Sequence, residues 1–213
     1  MRRNRVLTVS GLAAAGLVGV VTLAPAGSTA PAKSDGVIAF VSNRGDGAYA
    51  VWLMNADGAT PRRLNSHSLD PAFAADATRI VYTAFDATDP VGDVFVMNAD
   101  GTNRVRLTDS PGADNHPAFS PAGPKIAFHS LRSGNGDIWT MNVDGTDLAP
   151  LTTDLATDDD PVFSPDGKQI AFSSGRDGTI DVYVMAADGT EVRRLTAGPG
   201  SAWPQAWGRP QER

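Results

Sequence analysis

Asp70, His116 and Asp160 each stand directly before a proline, as does Trp203, and the prolines Pro71, Pro117, Pro161 and Pro204 recur at nearly even intervals. An imidazole between two carboxylates has the donor set for a divalent metal ion, or for acid–base work on a sugar. The same side chains also bind water and neighbouring backbone in turns. That plainer role is the reading adopted for Asp70, His116 and Asp160 as metal ligands, so no metal and no cofactor is expected. Asp158 and Asp159 extend the acidic run. The candidate ligand- or partner-binding set is therefore Asp70, His116, Asp158, Asp159, Asp160 and Trp203.

These residues keep step with a longer period. Met54, Met97, Met141 and Met185 open "MNADG", "MNADG", "MNVDG" and "MAADG" at separations of 43, 44 and 44 residues. Ile38, Ile80, Ile126 and Ile170 march in phase, as do Leu64, Leu107, Leu151 and Leu195. Each unit holds four short strand signals divided by Gly, Pro, Asp and Asn, which is the pattern of a β-propeller blade. In "QIAFSS" and "DVYVM" both strand faces are apolar, so each sheet must be covered on both sides, as a blade between two neighbours is. The aromatic set Phe40, Tyr82, Phe128 and Phe172 with Trp52, Phe95, Trp139 and Tyr183 is expected between blades.

The fold expected is all-β: a propeller of four blades, each of four antiparallel strands. The chain opens on a second strand, Val37 to Ser42, and ends on a lone first strand, "AWPQAW", Ala202 to Trp207. Pairing of that C-terminal strand with the N-terminal blade would close the ring. Two chains sharing an eight-bladed ring, or an open arc completed by a partner, are the alternatives. The propeller is placed at residues 37–208, with repeats at about 37–73, 74–119, 120–163 and 164–207 and a tail at 209–213.

Turn chemistry accounts for much of the remaining polarity. In "SPDGKQIAF" Pro165 presets φ for a type I turn and Gly167 takes the left-handed conformation that reverses the strand. Gly58, Gly101, Gly145 and Gly189 do the same in the "ADG" and "VDG" turns. No loop matches the ligand series of an EF-hand.

The spacings differ on the two sides of the disc. Third-strand aromatic to fourth-strand Leu is 12 residues in every unit, whereas Leu to the next Pro is 7, 10, 10 and 9. One rim is built to a template and the other varies, which is where function tends to sit. The variable rim gathers fourteen aspartates between Asp46 and Asp181, against Arg44, Arg132 and Arg176, which are read as loop braces. It should favour a cationic partner. "RGD" at Arg44–Asp46 is assigned to chance, and the spacing of His67, His116 and His129 suggests no catalytic triad.

Arg2, Arg3 and Arg5 precede an apolar run from Val6 to Leu23 and then Ala24-Pro25-Ala26. Residues 1–26 thus read as an export signal and 27–36 as a linker. An uncleaved anchor is the alternative, because about 18 apolar residues can span a bilayer. The chain contains no cysteine, which excludes disulfides, thiolate metal sites and a cysteine nucleophile. Its formal net charge is −6, more negative still without the leader's arginines, and argues against nucleic acid and anionic membrane surfaces.

Taken together, "DPVFSPDGKQIAFSSGRDGTIDVYVMAADGTEVRRLT" (Asp160 to Thr196) and its three near copies resemble the TolB-type propeller repeat, over essentially the whole chain after the leader. TolB itself resembles six blades behind an additional N-terminal domain, so a Tol-Pal role is not carried over to four. Prolyl-oligopeptidase relatives carry such propellers beside a hydrolase domain, but the Gly-x-Ser-x-Gly elbow is missing here. The function expected is an exported, non-enzymatic scaffold of the cell envelope or extracellular space that binds a protein or peptide. A carbohydrate- or cation-binding envelope module, and a propeller hydrolase or lyase using channel Asp and His, are the alternatives. The chain is expected to be a monomer or a ring-sharing dimer, with membrane contact only if the leader stays attached.

Overall fold

The computed structural model describes residues 5–9, 18–23, 36–85 and 90–209. Seventeen strands and no helix are found among them. The first sheet holds β1 (Arg5–Val9), β2 (Val18–Leu23), β3 (Val37–Ser42), β4 (Ala50–Asn55) and β5 (Arg62–Arg63). The second holds β6 (Ser68–Phe73), β7 (Arg79–Ala84), β8 (Asp93–Asn98) and β9 (Val105–Arg106). The third holds β10 (Asp114–Phe119), β11 (Lys125–Ser130), β12 (Asp137–Asn142) and β13 (Ala149–Pro150). The fourth holds β14 (Asp158–Phe163), β15 (Gln169–Ser174), β16 (Asp181–Ala186) and β17 (Arg193–Arg194). Every pairing is antiparallel between sequence neighbours, so four blades form; the second, third and fourth have the expected four strands, and the first has five, with β1 and β2 beside β3.

Alternation along each strand decides how blades meet. Ile80, Tyr82 and Met97 of the second blade pack against Ala39, Val51 and Leu53 of the first. Ile126, Phe128 and Met141 then meet Val81 and Val94, and Ile170, Phe172, Tyr183 and Met185 meet Ala127 and Ile138. Each interface thus sets a bulky face of one blade on a face of smaller side chains of its predecessor. The aromatic pairs stack at 5.9 Å in the second and fourth blades and 6.3 Å in the first. Arg132 and Arg176 cover the pairs from the rim, 4.9 Å above Trp139 and 5.0 Å above Tyr183.

The "DG" hairpins close as their sequence predicts: Gly58, Gly101, Gly145 and Gly189 donate N–H to the carbonyl three residues back, all at 2.9 Å. Gly189 also needs its bare Cα, because a Cβ there would stand 2.8 Å from the Leu151 carbonyl oxygen, and its φ is +88°.

The ring closure expected from the C-terminal strand is not formed. Residues 202–207 belong to no sheet, and the free edge of β3 is taken by β2. The physical reason is positional. Each blade packs on its sequence neighbour, and among the described residues the fourth blade does not pack on the first in that way, which leaves an arc. The assignments of residues 1–26, 27–36 and 209–213 fall mostly outside the described residues.

Candidate functional site

The inner strands β6, β10 and β14 share an irregularity. Their register with the next strand shifts between Leu69 and Ala72, between Asn115 and Ala118, and between Asp159 and Val162. Such a bulge re-aims side chains out of the ladder. Within it the residue before the proline turns left-handed: φ is 51° at Asp70, 51° at His116 and 54° at Asp160. A pre-proline residue avoids the right-handed helical region, and Asp and His are among the few non-glycine types that tolerate φ > 0. The backbone therefore favours these types here before any ligand is considered.

The three bulges bring the side chains together. His116 Nδ1 lies 2.7 Å from Asp159 Oδ1 and 3.5 Å from Asp160 Oδ1, and its Nε2 lies 3.8 Å from Asp70 Oδ2. The Thr83 hydroxyl donates to Asp70 (3.2 Å), and the Asp160 N–H donates to Asp159 (2.7 Å). The four side chains keep 25 to 31% of their surface exposed, so a solute can reach them. Burial pulls the His116 pKa down, but the hydrogen bond its Nδ1–H donates to Asp159 and the charges of Asp70, Asp159 and Asp160 outweigh it and push it up to about 10. Burial raises Asp160 to about 6, and the neighbouring acids add to the shift while His116 opposes it. Burial likewise raises Asp70. Asp159 is held low: burial opposes ionisation, yet the His116 hydrogen bond and charge prevail. At neutral pH one imidazolium faces three carboxyl groups.

Geometry separates the six candidates. Asp70, His116, Asp159 and Asp160 form one cluster. Asp158 does not join it: it is buried at 0% exposure, with Arg176 bound to both carboxylate oxygens at 2.8 and 2.9 Å. Trp203 lines a cleft of about 530 Å³ with Val162, Ala171, Val182 and Leu195 instead. His129 was not among the candidates, yet its ring stands 6.4 Å from that of His116 and is 6% exposed, with both nitrogens lacking a hydrogen-bond partner. Burial lowers its pKa, so it faces the cluster's charges as a neutral ring.

The rim is less acidic than its composition implies. Asp93, Asp114, Asp137, Asp158 and Asp181 each begin a strand and are at most 2% exposed. Asp114 and Asp158 are neutralised by Arg132 and Arg176, as the bracing role predicts. Asp93 and Asp181 hold a threonine, Thr108 and Thr196, at 2.9 and 2.8 Å, and each is also bound by an arginine, Arg106 or Arg194. Asp86 and Asp89 fall outside the described residues. Apolar groups share the same rim: Tyr49, Leu131, Leu155 and Ile180 are exposed there, Leu155 at 97%.

His116, Asp159 and Asp160 present one ligand atom each within 4.8 Å of one another, a spacing that would admit a cation. Among the described residues His116 has carboxylate partners and no hydroxyl partner, so the arrangement does not activate a serine or threonine nucleophile.

Comparison with known proteins agrees with the repeat. A family model described as "TolB beta propeller domain" matches residues 32–210. The Tol-Pal system protein TolB of Bordetella pertussis is 31% identical, over 46% of this chain and 32% of that protein. The TolB homolog of Chlorobium luteolum is likewise 31% identical over the same shares. The chain thus spans about a third of the length of the curated relatives it matches. Among solved structures, a putative TolB from Agrobacterium tumefaciens superposes with a TM-score of 0.71 at 26% identity, covering 84% of this chain and 73% of that one. TolB from Acinetobacter baumannii gives 0.67 at 23% identity, covering 75% and 40%, a likeness of fold alone.

Proposed function

The chain belongs to the TolB β-propeller family, and from that premise we propose that it is a non-enzymatic scaffold of the cell envelope that captures an extended, cationic segment of a partner protein. The observation that carries this reading is the convergence of Asp70 from the second blade and Asp159 and Asp160 from the fourth on His116 of the third, with a quarter to a third of each side chain still open to water. A lysine or arginine entering the site would meet more carboxyl groups than the imidazolium neutralises. The apolar rim side chains, with Tyr49, Leu131 and Ile180 on three different blades, would contact the flanking residues of such a segment. Export through residues 1–26 belongs to the same reading and rests on their basic start and apolar run.

The test is calorimetric titration of the protein with a synthetic lysine-rich peptide and with its glutamate-rich counterpart. The lysine peptide should bind, and paired Asp159→Asn and Asp160→Asn changes should weaken it about tenfold or more, equivalent to ~1.4 kcal/mol. Added salt should weaken it further. Equal binding of the two peptides, or affinity indifferent to the paired change, would refute the reading. Asp158 is left intact because its loss would strip Arg176 of its partner. A second reading, a cation-binding module, draws on the ligand atoms of His116, Asp159 and Asp160 gathered within 4.8 Å. Zinc or calcium heat that vanishes in the His116→Ala variant would favour it.

A further inference from the structure

The C-terminal strap, residues 202–207, occupies the seat of an inner strand. In the three regular connections the first residue of an inner strand donates N–H to the carbonyl just before the third strand of the preceding blade: Ser68 to Tyr49, Asp114 to Gly92 and Asp158 to Gly136, at 3.1, 3.0 and 2.9 Å. Ala202 repeats the contact on the fourth blade, donating to Ile180 at 2.8 Å. Ala202 to Trp207 therefore matches Asp158 to Phe163 one period on, and it lies over the small face of the fourth blade with Val162, Ala171 and Val182. A first strand is in place for a blade that this sheet order does not supply.

The other end of the arc shows the reciprocal gap. Ile80, Ile126 and Ile170 are 0% exposed, and Met97, Met141 and Met185 at most 1%, because a preceding blade covers them. Ile38 and Met54 occupy the same positions in the first blade and are only partly buried, while Phe40 on the same face is 1% exposed, so the gap lies at the Ile38–Met54 end of that face. At the far end Leu195 is 48% exposed, where Leu64, Leu107 and Leu151 are partly buried. The two ends thus carry the two halves of an interface that the chain makes three times internally.

We propose that copies of this chain join end to end, the strap of one adding to the Val37–Ser42 strand of the next. Within one chain the strap rides on the fourth blade and β3 on the first, and among the described residues no strand of the fourth blade packs extensively on a strand of the first. A second copy brings both halves together. The register follows from the fourth blade, where Asp158 pairs with Ser174 and Phe163 with Ile170. Ala202 then pairs with Ser42 and Trp207 with Ile38 of the next copy, and the bulky first-blade face settles on the strap and on Val182 and Leu195. Such a head-to-tail contact closes into a ring or extends into a chain according to its angle. β2 holds the β3 edge in this structure, so exchange displaces it.

The absence of cysteine makes the test clean. Two single variants of the full chain, Ser42→Cys and Ala202→Cys, are mixed and mildly oxidised. Facing residues of neighbouring strands bring their Cβ atoms within disulfide reach, about 3.5–4.5 Å. A disulfide-linked pair of chains is expected, and none when Asp188→Cys in the "ADG" turn replaces Ala202→Cys. Light scattering should show mass rising with concentration, and deletion of residues 202–207 should abolish the rise. A mixture that never links, while the double variant Ser42→Cys with Ala202→Cys closes within a single chain of monomeric mass, would overturn the proposal. A concentration-independent monomer would do so equally.

Discussion

Two arginine–aspartate pairs of similar geometry should differ greatly in weight. Arg176 holds an Asp158 that water does not reach, whereas Arg63 holds Asp46 at 2.7 Å with that carboxylate 55% exposed. Arg176→Ala strands a buried charge and should cost about 3–5 kcal/mol. Arg63→Ala should cost ~0–1 kcal/mol. Urea midpoints of the two variants against the parent check the ordering. His116 gives a pH-dependent prediction. Its folded pKa is raised from 6.5 to about 10, so its stabilising contribution is complete below 6.5 and is lost as pH rises through about 10. The stability gap between parent and His116→Asn should be widest near pH 6.5, on the order of 1–3 kcal/mol after screening by the solvent that reaches the ring, and should narrow in acid as Asp160 is protonated near pH 6. It should shrink between pH 6.5 and 10 in denaturant titrations; a gap that widens there would contradict the assigned charge state. Asp160, with its pKa near 6, makes capture of a cationic peptide weaken as pH falls through 6. At this scale the sequence was only partly legible. Asp70, His116 and Asp160 could be brought together because each precedes a phased proline. The close contact of Asp159 with His116 could not, because it depends on a bulge that shifts register within the strand. Trp203 was misplaced because the run from Leu195 to Pro204 is one residue shorter than the run from Leu151 to Pro161.

A blade is fastened at its rim by a side chain far along the sequence. Thr108 Oγ1 donates to Asp93 (2.9 Å) and accepts the Val94 N–H (3.0 Å), tying the short outer strand to the start of the third. Thr152 and Thr196 accept the corresponding N–H groups of Ile138 and Val182 at 2.9 and 3.0 Å. Thr108→Val keeps the shape and leaves a buried donor and acceptor unmatched, which should cost about 1–3 kcal/mol, while Thr108→Ser should retain most of the stability. Thermal unfolding of the pair checks this; equal losses would show that the methyl group, and not the hydroxyl, matters. The turns offer a similar contrast. Alanine meets left-handed strain at both Gly58 and Gly189, but nothing lies within 4 Å of a Cβ at Gly58, and at Gly189 the Leu151 carbonyl oxygen blocks it. Gly58→Ala should cost about 1–2 kcal/mol, and Gly189→Ala more than that. Strands and hairpins were legible because alternation, Gly and Asp act over a few residues. The internal use of the rim aspartates was not, since Asp93 and its threonine are separated by 15 positions and nothing local marks them as partners.

The whole molecule poses one question that its period alone does not answer: whether the first blade has a predecessor. Ile38 and Ile126 are the same residue at the same place in the repeat, yet Ile126 is 0% exposed beneath the second blade and Ile38 is only partly buried. Truncation at Ile126 removes contacts on both sides of a filled interface and should cost about 2–5 kcal/mol. Truncation at Ile38 in dilute protein should cost roughly 1–2 kcal/mol, because part of that side chain is already in water. The four in-phase units read from sequence establish equal blades, and equal blades in a closed ring would make the two costs equal; the arc is what separates them. Raising the protein concentration should then bring the Ile38→Ala cost toward the Ile126→Ala cost, as the open face of one copy is covered by the end of another, since binding that favours the folded state stabilises it by mass action. Chemical denaturation of both variants at low and high concentration reads this directly. Equal costs at every concentration would mean that the first blade's bulky face is already covered within a single chain, and the reading of the molecule as an arc with two complementary ends would fail.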